Sequence, residues 1–220
     1  LDLYRLDIIP ELPRILAVQS AHANPVALWR SRGEYMPLKV RPSVAQAAMI
    51  GDPVSFPKVR KLVEEHFRDR FTAVDLTEQE IIEAMLQANR CGHVVCTQGG
   101  ESIAGLRKAV AAGMVGKDQT VVVDSTSHQL KFSNFQDMYF SNSFPADYEI
   151  TPRDELVNRP VALPASADAI VSPGGICVST STDDTALSST PVPAMPAAQS
   201  SSPPPAICVP PLFMLPEPWT

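Results

Sequence analysis

Apolar positions recur along this chain in two rhythms, short continuous runs and stripes at three- and four-residue spacing. Residues 14–18 (RILAV) are a short apolar run between Pro13 and a polar stretch, which predicts a buried strand. Asn24-Pro25 then fits the start of a helix, with Asn as cap and Pro in the first helical position. Residues 30–41 are polar and irregular and read as a loop. The alanine-rich residues 43–50 predict a short helix, ended by Gly51-Asp52-Pro53. Ser55-Phe56-Pro57 opens another, with Val59, Leu62, Val63 and Phe67 forming one buried stripe. Residues 72–76 are a β-rich run. Thr77-Glu78-Gln79-Glu80 is a capping box, and the helix it starts buries Ile81, Ile82, Met85 and Leu86. A strand over 93–96, a helix over 101–115 and a valine-rich strand over 120–124 follow. Strands alternating with helices predict an α/β architecture with a largely parallel sheet. Periodicity lapses after about residue 132, so residues 133–170 read as a peripheral arm.

Composition divides the chain. Residues 172–220 hold eleven of the 22 prolines and eight serines but no Lys or Arg. Few of those side chains can pack at helix or strand spacing, so ordering the segment would not repay its entropy. The reading is a Pro/Ser-rich disordered tail, with PVPAMP (residues 191–196) as a possible polyproline II ligand. The net charge is −6. The basic residues at 58–70 are interleaved with Glu64, Glu65 and Asp69 as on a solvated helix face, which argues against nucleic-acid binding. Apolar stretches are far too short to span a bilayer. No basic stretch followed by an apolar core opens the chain. Cys91, Cys96, Cys177 and Cys208 do not make a disulfide framework in a chain this long, and reduced thiols in the cytoplasm are the expectation.

Ligands of open parallel sheets bind at the carboxyl ends of strands. Three loops qualify: residues 19–25 (QSAHANP), 97–102 (TQGGES) and 125–131 (STSHQLK). Gly99-Gly100 before a helix allows close backbone approach to an anion, although plain turn geometry uses such pairs as well. His22 and His128 are each a candidate general base or a hydrogen-bonded structural group. Cys91 and Cys96 lack the second pair that a zinc site needs, and no metal site is expected. Either thiol could be a nucleophile, but nothing marks one as activated. No GxSxG motif occurs. From these residues alone the reading is an α/β ligand-binding domain.

Four segments together carry a resemblance. Residues 42–53 (PSVAQAAMIGDP) are similar to a threonine synthase stretch that ends in Ile-Gly-Asn/Asp-Pro. Residues 77–86 resemble the T-D-E-E-I-x-E-A helix, residues 102–106 (SIAGL) resemble A-S-x-A-G-L, and residues 122–132 (VVDSTSHQLKF) are similar to VVVSTAHGLKF. They occur in the family's order. The chain thus resembles the C-terminal part of a threonine synthase, a pyridoxal 5′-phosphate enzyme of the tryptophan-synthase-β type.

The resemblance implies a fold-type II enzyme with a partial three-layer α/β/α domain. Residues 1–132 would be the C-terminal part of its large domain, 133–171 a C-terminal arm and 172–220 the tail. It implies pyridoxal 5′-phosphate as cofactor and conversion of O-phospho-L-homoserine and water to L-threonine and phosphate. Alignment on the following His makes Thr126 the hydroxyl that meets the pyridine nitrogen. Gln98, Gly99 and Gly100 would line the cofactor's edge, and residues 19–24 would form a wall near the ring. Cys96-Thr97 and Gln129 depart from the Glu-Pro or Cys-Pro and the Gly common there, which bears on specificity. The family's Schiff-base lysine lies in an S-F-K-D-R segment. None of Lys39, Lys58, Lys61, Lys108, Lys117 and Lys131 has that context, so no catalytic lysine is assigned here. The chain is expected to begin inside the large domain and to be inactive alone, with a homodimer as the intact enzyme. The alternatives are another β-replacing enzyme such as cysteate synthase, a non-catalytic binding module, or a truncated relic.

Overall fold

The computed structural model describes residues 1–158 and Ser166. The expected tail at 172–220 lies outside them, as does most of the stretch from 159 to 171. The elements run in the order α1 (Asp2–Arg5), β1 (Ile15–Ser20), α2 (Pro25–Arg32), α3 (Phe56–Leu62), β2 (Phe71–Leu76), α4 (Glu78–Arg90), α5 (Thr97–Ala111) and α6 (Ser133–Phe140), with short 3₁₀ and π turns between.

β1 and β2 pair in parallel, from Ile15 opposite Phe71 to Ser20 opposite Leu76. Parallel pairing needs a long crossover, and α2, the 33–55 loop and α3 supply it. Two hydrophobic clusters flank this arrangement. One is aromatic: Trp29 of α2 meets Phe56 edge-on at 5.1 Å between ring centroids, with Val63, Phe67 and Phe71 around them. The other gathers Ile81, Ile82 and Met85 of α4, all fully buried, with Ala104 of α5 and Phe135 and Tyr139 of α6. Edge-to-face aromatic pairs and buried aliphatic side chains at this density account for the cohesion of both.

Local chemistry sets the element ends. α2 ends at Gly33, whose φ of 79° is the left-handed conformation that a C-terminal glycine supplies. α4 begins with the expected capping box: the Thr77 hydroxyl accepts from the Glu80 amide, and the Glu80 carboxylate accepts from the Thr77 amide at 2.7 Å. Thr77→Ala leaves that amide end open and is expected to cost about 1 kcal/mol of stability in urea unfolding. A loss below about 0.2 kcal/mol would mean the box is solvent-compensated.

Several expectations are corrected. Residues 93–96 are not a strand; Val95 makes one isolated antiparallel bridge, to His128. Residues 120–124 are not a strand either, because among the described residues no strand runs beside them, and Val122 is 93% exposed. β-propensity without a hydrogen-bonding partner does not make a sheet. Residues 43–50 form only the 3₁₀ turn Gln46–Ala48, and the Val44 amide before it donates to Glu78. α5 starts at Thr97, not at 101. α6 appears where lapsed periodicity predicted an arm, and Phe135 and Tyr139 bury in the main cluster. The parallel sheet has two strands among the described residues.

Among the described residues no helix is long and apolar enough to cross a membrane. No three His, Cys, Asp or Glu side chains among them are grouped to hold a metal ion. Cys91 and Cys96 are free thiols.

Candidate active site

The carboxyl ends of β1 and β2 meet the amino ends of α4 and α5, and the polar residues of the fold converge there. Gln19, near the end of β1, turns its side-chain oxygen to the Val26 and Ala27 amides at 2.9 and 3.1 Å. It therefore caps α2 in place of Asn24, whose side chain instead donates to Asp75 Oδ2 at 2.8 Å. His22 is buried, with Nδ1 2.5 Å from the Pro42 carbonyl. His128 Nδ1 accepts from the Leu130 amide at 3.2 Å. Both histidines are hydrogen-bonded structural groups.

Glu78, the first residue of α4, is 1% exposed. Its carboxylate accepts from the Ser20 hydroxyl and from the Val44 amide, the latter at 2.6 Å, and lies 3.8 Å from His22 Nδ1. It ties three segments together: the end of β1, the 42–45 loop and α4. Glu101 of α5 lies near it and is also buried. Burial pushes its carboxyl up to about 7; the Ser20 backbone amide pulls it down, and the Glu78 charge pushes it further up.

Of the four residues singled out for a cofactor, two come together. Residues 125–128 run along the start of α5, where the Cys96 amide donates to the Ser127 carbonyl at 3.2 Å. This sets the exposed Thr126 beside Cys96, with Oγ1 3.8 Å from Sγ. A Cβ on Gly99 would lie 3.2 Å from Ser125 Oγ and 2.8 Å from Val95 Cβ. Gln98 and Gly100 face elsewhere. With its amide oxygen turned to the 3₁₀ turn, Gln98 accepts from the Ala47 amide at 3.0 Å. A Cβ on Gly100 would lie 2.7 Å from the Ile81 carbonyl of α4. Close packing is therefore a sufficient reason for both glycines. A surface groove of about 610 Å³, lined by Glu34, Tyr35, Asp52, Phe56 and Arg60 among others, includes none of these four residues.

Sequence reasoning placed Ser20 and Glu101 in two of its three loops but gave neither of them, nor Glu78, an individual role. The signal was present: Glu78 stands three, four and seven residues before Ile81, Ile82 and Met85, and Glu101 three and four before Ala104 and Gly105. Each carboxylate falls on the buried stripe of its helix.

Residues 4–126 match the family described as pyridoxal-phosphate dependent enzyme. The chain belongs to this family. Its relatives include Threonine synthase 2, chloroplastic, of Arabidopsis thaliana, 30% identical over 169 residues, which are 76% of this chain and 31% of that protein. The threonine synthase of Methanocaldococcus jannaschii is 34% identical over 127 residues, 56% of this chain and 31% of its own length. That of Mycobacterium leprae is 36% identical over 125 residues, 56% of this chain and 32% of its own. The chain spans about a third of the length of these relatives.

The residues present fit one side of the family's cofactor. The Thr126 hydroxyl has, among the described residues, no nearer partner than the Cys96 sulfur, and Ser127 Oγ is buried with no partner. A hydroxyl can donate to or accept from a heteroaromatic nitrogen, so it suits that nitrogen in either protonation state.

Proposed function

We propose that this chain is the C-terminal part of a threonine synthase-like enzyme and supplies the ring side of its cofactor site. In this reading residues 1–132 belong to the large cofactor-binding domain, 133–171 to a C-terminal arm and 172–220 to an appended tail. Thr126 hydrogen-bonds the pyridine nitrogen, and Gln98, Gly99 and Gly100 line the cofactor's edge. Pyridoxal phosphate, when bound, supplies an electron sink for a carbanion next to the amino-acid nitrogen. A hydroxyl partner leaves that nitrogen less firmly protonated than a carboxylate would. The substrates are O-phospho-L-homoserine and water, the products L-threonine and phosphate. The lysine that holds the cofactor lies outside these 220 residues, since the six lysines here lack the family's segment. Cysteines without a disulfide framework support a reducing compartment such as the cytoplasm.

The observation that carries the reading is the exposed Thr126 hydroxyl, held only by a long contact to Cys96 Sγ beside the start of α5, in a segment similar to the family's VVVSTAHGLKF. No specific observation favours cysteate synthesis, a binding module or a relic. Thr126→Val in the native, cofactor-loaded enzyme tests it. One lost hydrogen bond to a partly charged ring predicts a fall in threonine formation of about 10- to 100-fold, a shifted cofactor absorption, and substantial rescue by Thr126→Ser. Activity of Thr126→Val within twofold of the parent, with unchanged absorption, would remove Thr126 from the site.

A further inference from the structure

We propose that Glu101 is a proton-operated latch: protonated, it lets the start of α5 close on the end of β1, and ionised, it drives the two apart.

The geometry offers a second negative charge one backbone donor, the Ser20 amide, and no cation. Glu101 is 5% exposed, and its Oε1 has no hydrogen-bond partner among the described residues. From α4 it faces Glu78, itself buried, whose two oxygens are already taken by Ser20 Oγ and the Val44 amide. From β1 it faces Ser20, and His22 just beyond is committed to the Pro42 carbonyl and to Glu78. β2 offers Asp75, a second anion, held by Lys108 at 3.6 Å. The other charges of α4 are engaged elsewhere: Glu80 with Thr77, and Glu83 with Arg153 at 2.7 Å. The 3₁₀ turn Gln46–Ala48 carries no charged group. On α5 itself, Arg107 bonds Gln87 and Lys108 bonds Asp75. Near the 125–128 segment, His128 is used by Leu130. An ionised Glu101 therefore meets the Glu78 carboxylate and no uncommitted cation, with the Ser20 backbone amide as the one donor that favours the charge.

The direction of the effect follows from linkage. Closed, Glu101 holds its proton up to about pH 7, against an ordinary value of 4.5 when the segments part. Opening thus becomes easier as pH rises from about 4.5 to about 7 and changes no further above that. The first turn of α5 carries Gln98 and Gly99 and touches the segment of Thr126, so the latch governs the site whatever ligand it takes. It does not depend on the cofactor reading.

Amide hydrogen exchange on the full 220-residue chain between about pH 5 and pH 8, corrected for intrinsic rates, tests the latch. Three probe amides lie on the two sides of the joint: Ala21 to the Leu76 carbonyl and His22 to Ser20 Oγ at the end of β1, and Gly100 to the Cys96 carbonyl in the first turn of α5. Where Glu101 is protonated closed and ionised open, a tenfold fall in proton concentration makes opening tenfold easier. Protection of the three amides is therefore expected to fall about a hundredfold across this range in the parent chain. In Glu101→Gln it is expected to stay within about threefold, because an amide does not titrate. An equal fall in both proteins, or none in the parent, overturns the proposal. Carbon NMR titration of the Glu101 side chain in the parent does not require the variant to fold, and a midpoint below about 5, the ordinary carboxylate range, overturns it as well.

Discussion

Glu78→Ala is expected to destabilise the chain by about 4 kcal/mol, the larger of two effects that single changes at the strand ends should produce. The carboxylate answers the Ser20 hydroxyl and the Val44 amide in a site with no water-facing surface. Its removal leaves two buried donors unpaired, each costing about 1–3 kcal/mol, and a cavity besides. One effect runs the other way: Glu101 loses a neighbouring charge that opposes its ionisation. That relief is the smaller influence, because burial rather than Glu78 is the first cause of the raised Glu101 value. Urea unfolding at about pH 6 reads the sum. Glu78→Gln keeps one acceptor and should lose roughly half as much. A loss below about 1 kcal/mol for Glu78→Ala would mean that the three segments are not held by this side chain.

The second large effect is Gly100→Ala, a loss of about 2–3 kcal/mol. The added Cβ would stand 2.7 Å from the Ile81 carbonyl, 2.7 Å from Met85 Cβ and 3.0 Å from the Met85 amide nitrogen. Two of these atoms are backbone inside α4, so relief requires the helices to move apart, not a side chain to turn. Overpacking of this kind costs about 1–3 kcal/mol or more, and the gain in helix propensity of about 1 kcal/mol offsets only part of it. Gly105→Ala should act with the same sign, against the Val18 side chain. The comparison separates two roles for Gly100. If its lack of a side chain serves only the approach of a cofactor, the cofactor-free chain unfolds unchanged after Gly100→Ala. Packing predicts the loss with no cofactor present.

The elements that local chemistry specifies were legible from the sequence. β1 and β2 are apolar runs with polar or proline boundaries, and α4 announces itself by a capping box followed by an apolar stripe. What failed depended on partners distant in the chain. Gln98-Gly99-Gly100 reads as a loop because two glycines disfavour a helix, yet close contact with α4 and Val95 makes glycine the residue that fits. Residues 120–124 read as a strand by composition and remain unpaired among the described residues. Residues 43–45 lie outside the short turn that forms there, and the Val44 amide is bound by Glu78, more than thirty residues on.

The candidate site divides the same way. Thr126 was reached through a motif, and its closeness to Cys96 and Gly99 is a matter of the 125–128 segment lying along α5. His22 and His128 drew attention as isolated titratable groups but hold backbone in place. The buried carboxylates escaped notice because a glutamate near a helix start is ordinarily a solvated, dipole-favoured residue. Only the stripe on which each falls betrays its burial.

If this chain forms the ring side of a pyridoxal phosphate site, the lysine that completes the site lies elsewhere. Borohydride reduction of the native species that contains this sequence, followed by peptide mapping, locates that lysine. One phosphopyridoxyl group is expected, on a lysine outside these 220 residues. Stoichiometric label on Lys39, Lys58, Lys61, Lys108, Lys117 or Lys131, or no label anywhere, would contradict it.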